Sequence, residues 1–244
     1  NGDGFDDLIV GAQRGDDGGS NAGEAYVVFG TDQGFGVDSG GRQVIDLSTF
    51  SSSEGFIIKG DRSSDGLYSV SSAGDVNGDG FEDMIIGASS GDDGGSNAGE
   101  AYVVFGTDQG FGVDISGRQV IDLSTFTAAQ GFIIQGDESS DNAGISISSA
   151  GDVNGDGYAD MIVGAFAGDD GGSNAGEAYV IFGTDQGFGT NVSGRQVIDL
   201  TFLAPEEGFL IQGDEANDRL GGSVSSAGDI NGDGYDDLIV GAGS

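Results

Sequence analysis

The sequence contains no Cys, no His and no Trp, and only one Pro among its 244 residues. Without Cys or His the chain has no disulfides, no thiolate or imidazole metal ligands, and no nucleophile–histidine pair of the kind that many hydrolases use. We therefore expect that the chain is not an enzyme. No apolar run approaches the length of a membrane-spanning helix, so no membrane span is predicted.

Basic residues are scarce as well. Seven Lys and Arg stand against 42 Asp and Glu, which gives a net charge of −35. This charge repels nucleic acid and anionic membranes and attracts cations. Apolar residues make up 36% of the chain and include 15 Phe, enough for a core, so disorder is not expected. Self-repulsion of this size is expected to require a neutralising partner in the compact state.

Glycine is abundant, at 51 positions, which argues against long helices and for many tight turns. The chain is also repetitive: DVNGDGFED at 75–83 returns as DVNGDGYAD at 152–160 and DINGDGYDD at 229–237. A clipped copy, NGDGFDD, opens the chain, which ends in the phase in which it begins. We expect a window of a longer array. The predicted units are 1–76, 77–153, 154–230 and a partial unit, 231–244.

Four short segments of the middle unit have the composition of strands, being rich in β-branched and aromatic residues and bounded by turn residues. They are 67–73, 83–88, 100–105 and 132–135. Four short strands per repeat predict an all-β fold of tandem four-stranded blades of the β-propeller type. A further segment, RQVIDLS at 118–124, fits either a strand or an ordered loop.

The DVNGDGFED stretch places side-chain oxygens at alternate positions of a tight loop, with Gly80 at the sharpest bend. Oxygens arranged in this way suit a hard cation, calcium first and magnesium second. An ordinary turn of Asp, Asn and Gly is the alternative, and three copies with every ligand position kept favour the metal site over it. The following residues form a β run, so the loop is expected to close a β-hairpin. The predicted ligands are the side chains of Asp75, Asn77, Asp79 and Asp83 and the carbonyl of Phe81.

The order SSAGDVNGDGFEDMIIGA and then EAYVVFG closely resembles the FG-GAP repeat, the blade unit of integrin-type β-propellers. Phe105-Gly106 matches the FG element and Gly87-Ala88 the GA element, although Ser89 stands where that family usually has Pro. The resemblance implies one calcium ion at each hairpin and four antiparallel strands per blade. It extends the ligand set to Asp152, Asn154, Asp156, Tyr158 and Asp160, to Asp229, Asn231, Asp233, Tyr235 and Asp237, and to a partial site of Asn1, Asp3, Phe5 and Asp7.

Other acidic segments are also repeated. GDDGGSNAGE at 91–100 could hold a second cation through Asp92, Asp93, Asn97 or Glu100, but its spacing matches no established ligand pattern. We interpret it as a solvated turn. A second group of acidic residues is expected to orient the ligands of the calcium loops without binding the ion directly. It consists of Asp65, Asp141 and Asp218.

These features favour a calcium-stabilised, secreted structural or adhesive protein of the cell surface. Its tandem blades would associate with one another or with neighbouring repeats of the same protein, as a filament or matrix fibre. An integrin-like domain that recognises an extracellular protein or glycan is the alternative. The sequence leaves open whether the blades close into a propeller or form an open array.

Overall fold

The computed structural model describes residues 2–243, so the predicted ligand Asn1 lies outside the described residues. The regular secondary structure of the described part is β-strand, apart from short 3₁₀ turns. The first strands are β1 Leu8–Ala12, β2 Glu24–Val28, β3 Val37–Asp38, β4 Gln43–Val44, β5 Gly55–Lys59, β6 Ser69–Gly74, β7 Asp83–Ala88, β8 Glu100–Val104, β9 Val113–Ile115 and β10 Arg118–Asp122. The remaining strands are β11 Gly131–Gln135, β12 Ser146–Gly151, β13 Asp160–Ala165, β14 Glu177–Ile181, β15 Thr190–Val192, β16 Arg195–Asp199, β17 Gly208–Gln212, β18 Leu220–Gly228 and β19 Asp237–Ala242.

Each complete blade is a four-stranded antiparallel meander. In the middle blade the order is β6–β7–β8–β11, and the next blade repeats it as β12–β13–β14–β17. The first blade contributes β1, β2 and β5, and the β18–β19 hairpin follows the third blade. The prediction of tandem all-β blades is confirmed. The four predicted strands of the middle unit agree with those observed to within two residues at each end.

The blades stack face to face, so a central strand is buried on both sides. Along β8, Ala101 and Val103 contribute to the core shared with the third blade, whereas Tyr102 and Val104 contribute to the core shared with the first. Strands covered on both faces consist of nearly continuous apolar residues, because neither face contacts water. This explains why EAYVV lacks the polar–apolar alternation of a half-exposed strand.

The segment whose structure the sequence left open forms a strand that leaves its own blade. The β9–β10 hairpin of the second unit adds to the first blade, with β10 parallel to β5, and the β15–β16 hairpin adds to the second blade, with β16 parallel to β11. A short 3₁₀ turn follows each added strand, and an aspartate caps it. Consecutive units are therefore joined by strand addition as well as by stacked faces.

Each blade has two distinct ends, set by the antiparallel register of its strands. Asp83 begins β7 next to the DVNGDGFED loop, while Ala88 at the far end of the same strand pairs with Glu100. At about 3.3 Å per residue the two ends lie on the order of 16 Å apart. The repeated acidic residues are thus divided between two separate sites per unit.

Candidate metal centres

The DVNGDGFED loop closes the β6–β7 hairpin as predicted, and its polar side chains fold it around backbone amides. Asp75 Oδ1 accepts from the amides of Gly78 (2.7 Å) and Asp79 (3.1 Å), and its Oδ2 accepts from Gly80 (2.9 Å). Asn77 Oδ1 accepts from the Asp79 amide at 2.8 Å. Asp and Asn side chains stabilise tight turns by such local bonds, which fix the loop without any ion.

Asp83 anchors the loop from below. It is fully buried, its Oδ2 accepts from the Val76 amide (3.0 Å) and its Oδ1 from the Gly106 amide (2.8 Å). Burial, with a smaller contribution from nearby Asp79, raises the pKa of Asp83 to about 7. A carboxyl group in this setting is destabilised when charged unless a cation lies next to it.

The other copies repeat most of these contacts. Asp152 Oδ1 accepts from Gly155 at 2.7 Å, Asp160 accepts from the amides of Val153 and Gly183, and burial raises the pKa of Asp160 to about 6. In the last copy Asp229 Oδ1 accepts from Gly232 at 2.6 Å. In the first copy Asp3 Oδ1 accepts from the Phe5 amide and Asp7 Oδ1 from the Gly30 amide.

Neighbouring loops also contact one another, which the sequence did not indicate. The aromatic residue at position 7 of one loop covers the glycine at position 4 of the preceding loop: Phe81 covers Gly2, Tyr158 covers Gly78 and Tyr235 covers Gly155. The backbone joins the loops too, because the Ala159 amide donates to the Asp75 carbonyl at 3.1 Å. The loops therefore form one continuous row along the array.

The loop residues fit calcium in chemical type. Their side chains can coordinate a metal through oxygen atoms. Each carboxylate has about four acceptor positions, and the hydrogen bonds from backbone amides leave some of these lone pairs unused. A bound calcium ion would offset the charge of these carboxylates, including Asp83 and Asp160, whose pKa values burial raises. The ligand set itself remains a prediction.

The tightest acidic groupings of the described residues lie elsewhere, at the opposite end of the blades. Two sets of three carboxyl groups each place an oxygen within 4.8 Å of the other two, and neither set includes a loop residue. The sets are Asp61, Asp65 and Glu100, and Asp137, Asp141 and Glu177. The expectations that Asp65 and Asp141 support the calcium loops and that GDDGGSNAGE is wholly solvated are therefore wrong. Both aspartates face the buried glutamate that ends this segment.

No helix in the described part of the chain is long and apolar enough to cross a membrane. A search of curated proteins found no match to the chain. The FG-GAP repeat model matches four segments that together cover more than half of the chain: residues 1–28, 67–104, 143–181 and 221–244. Each segment contains part or all of a DxNGDG-type loop and the strand that follows it, within integrin-like β-propeller blades. The chain therefore belongs to the FG-GAP repeat family.

Proposed function

We propose that this chain is a calcium-stabilised extracellular structural protein whose repeat units join end to end, both to neighbouring repeats and between copies, into a filament. The observation that carries the proposal is an aromatic stack at each junction between units. Phe111, just before the β9–β10 hairpin, stacks on Phe56 of the preceding blade with ring centroids 4.1 Å apart. Phe188 stacks on Phe132 in the same way, at 4.0 Å. A contact that repeats in the same form can continue indefinitely.

The two components of a further junction are exposed at opposite ends of the described structure. Phe209 of β17 occupies the position of Phe56 and Phe132 but is 41% exposed, whereas Phe56 is 1% exposed. Phe35 occupies the position of Phe111 and Phe188 and is 42% exposed. Large apolar side chains in matching exposed positions are typical of an interaction surface.

The backbone offers the same complementarity. Among the described residues, no strand pairs with the outer edge of β17, and β3 and β4 pair only with each other. Residues 42–47, RQVIDL, are identical to 118–123 and 195–200, the segments that form the added strands. We infer that β4 of a second copy lies parallel to β17, with Val44 opposite Leu210, as Val197 lies opposite Ile133. Such pairing also removes an open sheet edge.

The repeat family supports the extracellular location in this proposal, and the acidity of the chain supports the role of calcium. Members of this repeat family are typically extracellular, where calcium is abundant enough to fill weak sites. A net charge of −35 strongly opposes close packing of copies unless bound cations reduce it. The proposed role is structural and includes no catalysis. Calcium would act on stability and assembly.

The experiment uses the fact that each junction joins two different surfaces, one that contributes Phe35 and one that contributes Phe209. Phe35→Ser removes one half of the contact and Phe209→Ser the other, so neither variant should assemble alone. An equimolar mixture should give dimers and nothing longer, because each variant retains one intact end. Val113→Ser is the control, since Val113 is exposed on a hairpin that is already docked.

Sedimentation velocity and electron microscopy in millimolar calcium provide the readout. The wild-type chain and Val113→Ser should form linear assemblies that grow with concentration and dissociate in chelator. A wild-type chain that remains monomeric at high concentration would refute the proposal. Assembly of either Phe→Ser variant to wild-type lengths would refute this junction.

A further inference from the structure

We propose a second class of calcium site, distinct from the hairpin loops, formed by an aspartate pair and a glutamate where two consecutive units meet. Asp61 and Asp65 lie in the segment that leaves the first blade, and Glu100 begins the third strand of the next blade. The equivalent set at the following junction is Asp137, Asp141 and Glu177. Neither unit holds all three ligands by itself.

The first observation is geometric. One oxygen from each of Asp61, Asp65 and Glu100 lies within 4.8 Å of the other two. Calcium–oxygen distances are about 2.4 Å, so two ligands of one ion can be no more than about twice that distance apart. The three carboxylates already satisfy this condition in the folded chain.

The second observation is that polar atoms at the site lack partners. Glu100 is 0% exposed, and neither Oε1 nor Oε2 accepts a hydrogen bond. Asp65 Oδ2 and the hydroxyl of Tyr102 are also buried without a partner. Buried carboxylates are normally hydrogen-bonded or paired with a cation. Unsatisfied oxygens that converge on one point indicate a missing positive ligand.

Nearby arginines do not supply that ligand. Arg62 pairs with Asp93 at 2.6 Å, and Arg195 pairs with Asp93 at 3.2 Å. Arg195 Nη2 is 3.9 Å from Asp61 Oδ2, at the limit of an ion pair. Within the described residues no ion pair reaches Glu100 or Asp65.

The second junction repeats the cluster of three carboxyl groups, but its glutamate is hydrogen-bonded, because the Asp170 amide donates to Glu177 Oε1 at 2.9 Å. No ion pair of the described chain involves Asp137, Asp141 or Glu177, and Asp137 Oδ1 is buried without a partner. Tyr179 donates to either Asp137 Oδ2 or Glu177 Oε2, both at 2.8 Å. Burial together with Asp137, Glu177, Asp169 and Glu138 raises the pKa of Asp141 to about 7.

Glu24 provides a matched control within the chain. It is the equivalent glutamate of the first unit and is similarly buried, and it accepts the same two hydrogen bonds as Glu177, from the Tyr26 hydroxyl to Oε2 at 2.6 Å and from the Asp17 amide to Oε1 at 2.8 Å. It belongs to no set of three acidic groups among the described residues. Glu24→Gln therefore changes a buried glutamate without removing a proposed ligand.

The test counts bound calcium by equilibrium dialysis and elemental mass spectrometry on the 244-residue chain. Glu100→Gln and Glu177→Gln should each lose one calcium per chain, the double variant two, and Glu24→Gln none. A background with Asp3→Ala, Asp79→Ala, Asp156→Ala and Asp233→Ala disables all four hairpin loops and should still bind two calcium ions. This background separates failure of the loop sites from failure of the junction sites.

The remaining outcomes are equally defined. Equal calcium counts in the wild type, Glu100→Gln and Glu177→Gln would overturn the proposal. Loss of the junction calcium in excess magnesium would overturn the assignment to calcium. Asp65→Asn and Asp141→Asn provide a second pair of variants if the glutamine forms do not fold, as judged by circular dichroism. They should lose the same two ions.

Discussion

The ring of Tyr235 covers Gly155 so closely that a Cβ at Gly155 would lie 2.4 Å from the ring Cε1. Gly155 has φ +78°, in the left-handed region. Two constraints therefore act on this glycine: the loop requires its backbone conformation, and the next unit occupies the space of its side chain. The same relationship joins Tyr158 to Gly78.

Gly155→Ala should destabilise the chain more than Gly232→Ala. Gly232 has the same loop position and φ +77°, but a Cβ there would have no other atom of the described chain within 4 Å. Both variants incur about 1–2 kcal/mol of left-handed strain. Gly155→Ala adds an overlap of about 1–3 kcal/mol. Urea unfolding measures the difference, and equal losses would show that stacking of the loops contributes no stability.

Asp83 and Asp79 should respond differently to replacement by Asn. Asp83→Asn places an amide where both oxygens now accept backbone amides, so it should cost about 1–3 kcal/mol even in chelator. Asp79→Asn keeps the oxygen that accepts from the Phe81 amide and loses only the exposed bond from Asn77 Nδ2, so its main effect should require calcium. A filled site at 100 times its Kd contributes about 2.7 kcal/mol. Thermal melts with and without calcium test this, and a calcium-independent loss in Asp79→Asn would contradict it.

Phe188→Ala should destabilise the junction between the second and third units. Phe188 is buried and stacks on Phe132, so truncation should cost about 3–5 kcal/mol. Phe35→Ala is the matched control because Phe35 has the same position in its unit and is exposed. Denaturant unfolding of dilute, monomeric protein should show little change for Phe35→Ala. Similar losses in both would mean that the stack is not the source of the stability.

The calcium-free chain should lose stability as the pH rises from about 4 to about 7. The pKa values of Asp83 and Asp141 are raised from the usual 3.8 to about 7, by burial first. The folded state then binds protons more readily than the unfolded state, so the stabilisation is complete below pH 4 and is lost as the pH passes 7. Melting temperatures in chelator at pH 5 and pH 8 test the sign. Asp141→Asn should reduce the slope, and a higher melting temperature at pH 8 would contradict the prediction.

Much of the fold could be predicted because the information is local and repeated. The run at 83–88 and the turn residues around it specify a strand whatever its neighbours are, and β7 has those bounds. The loop at 75–83 was likewise correctly placed in a hairpin, since Asp and Asn bond to amides only a few residues away. The predicted domain limits and ligand set are untouched by these observations and stay predictions.

The junctions could not be predicted because they depend on which distant segments meet. Nothing local to RQVIDL at 118–123 indicates that β10 pairs with the preceding blade rather than with its own. Asp65 and Glu100 are separated by a hairpin and two loops, and only the packing of two blades brings their oxygens together. The burial that makes Glu100 chemically significant is likewise a property of the stacked blades.

The sequence by itself determined the repeat, the all-β blades, the oxygen-rich hairpin loops and the family. Periodicity, turn chemistry and motif spacing depend only on residues that are close together in the chain. The tertiary structure alone decided how one unit holds the next. Strand addition, the phenylalanine stacks, the row of loops and the buried carboxylate clusters all arise between units, where contact depends on the stacking of sheets and on the water that stacking excludes.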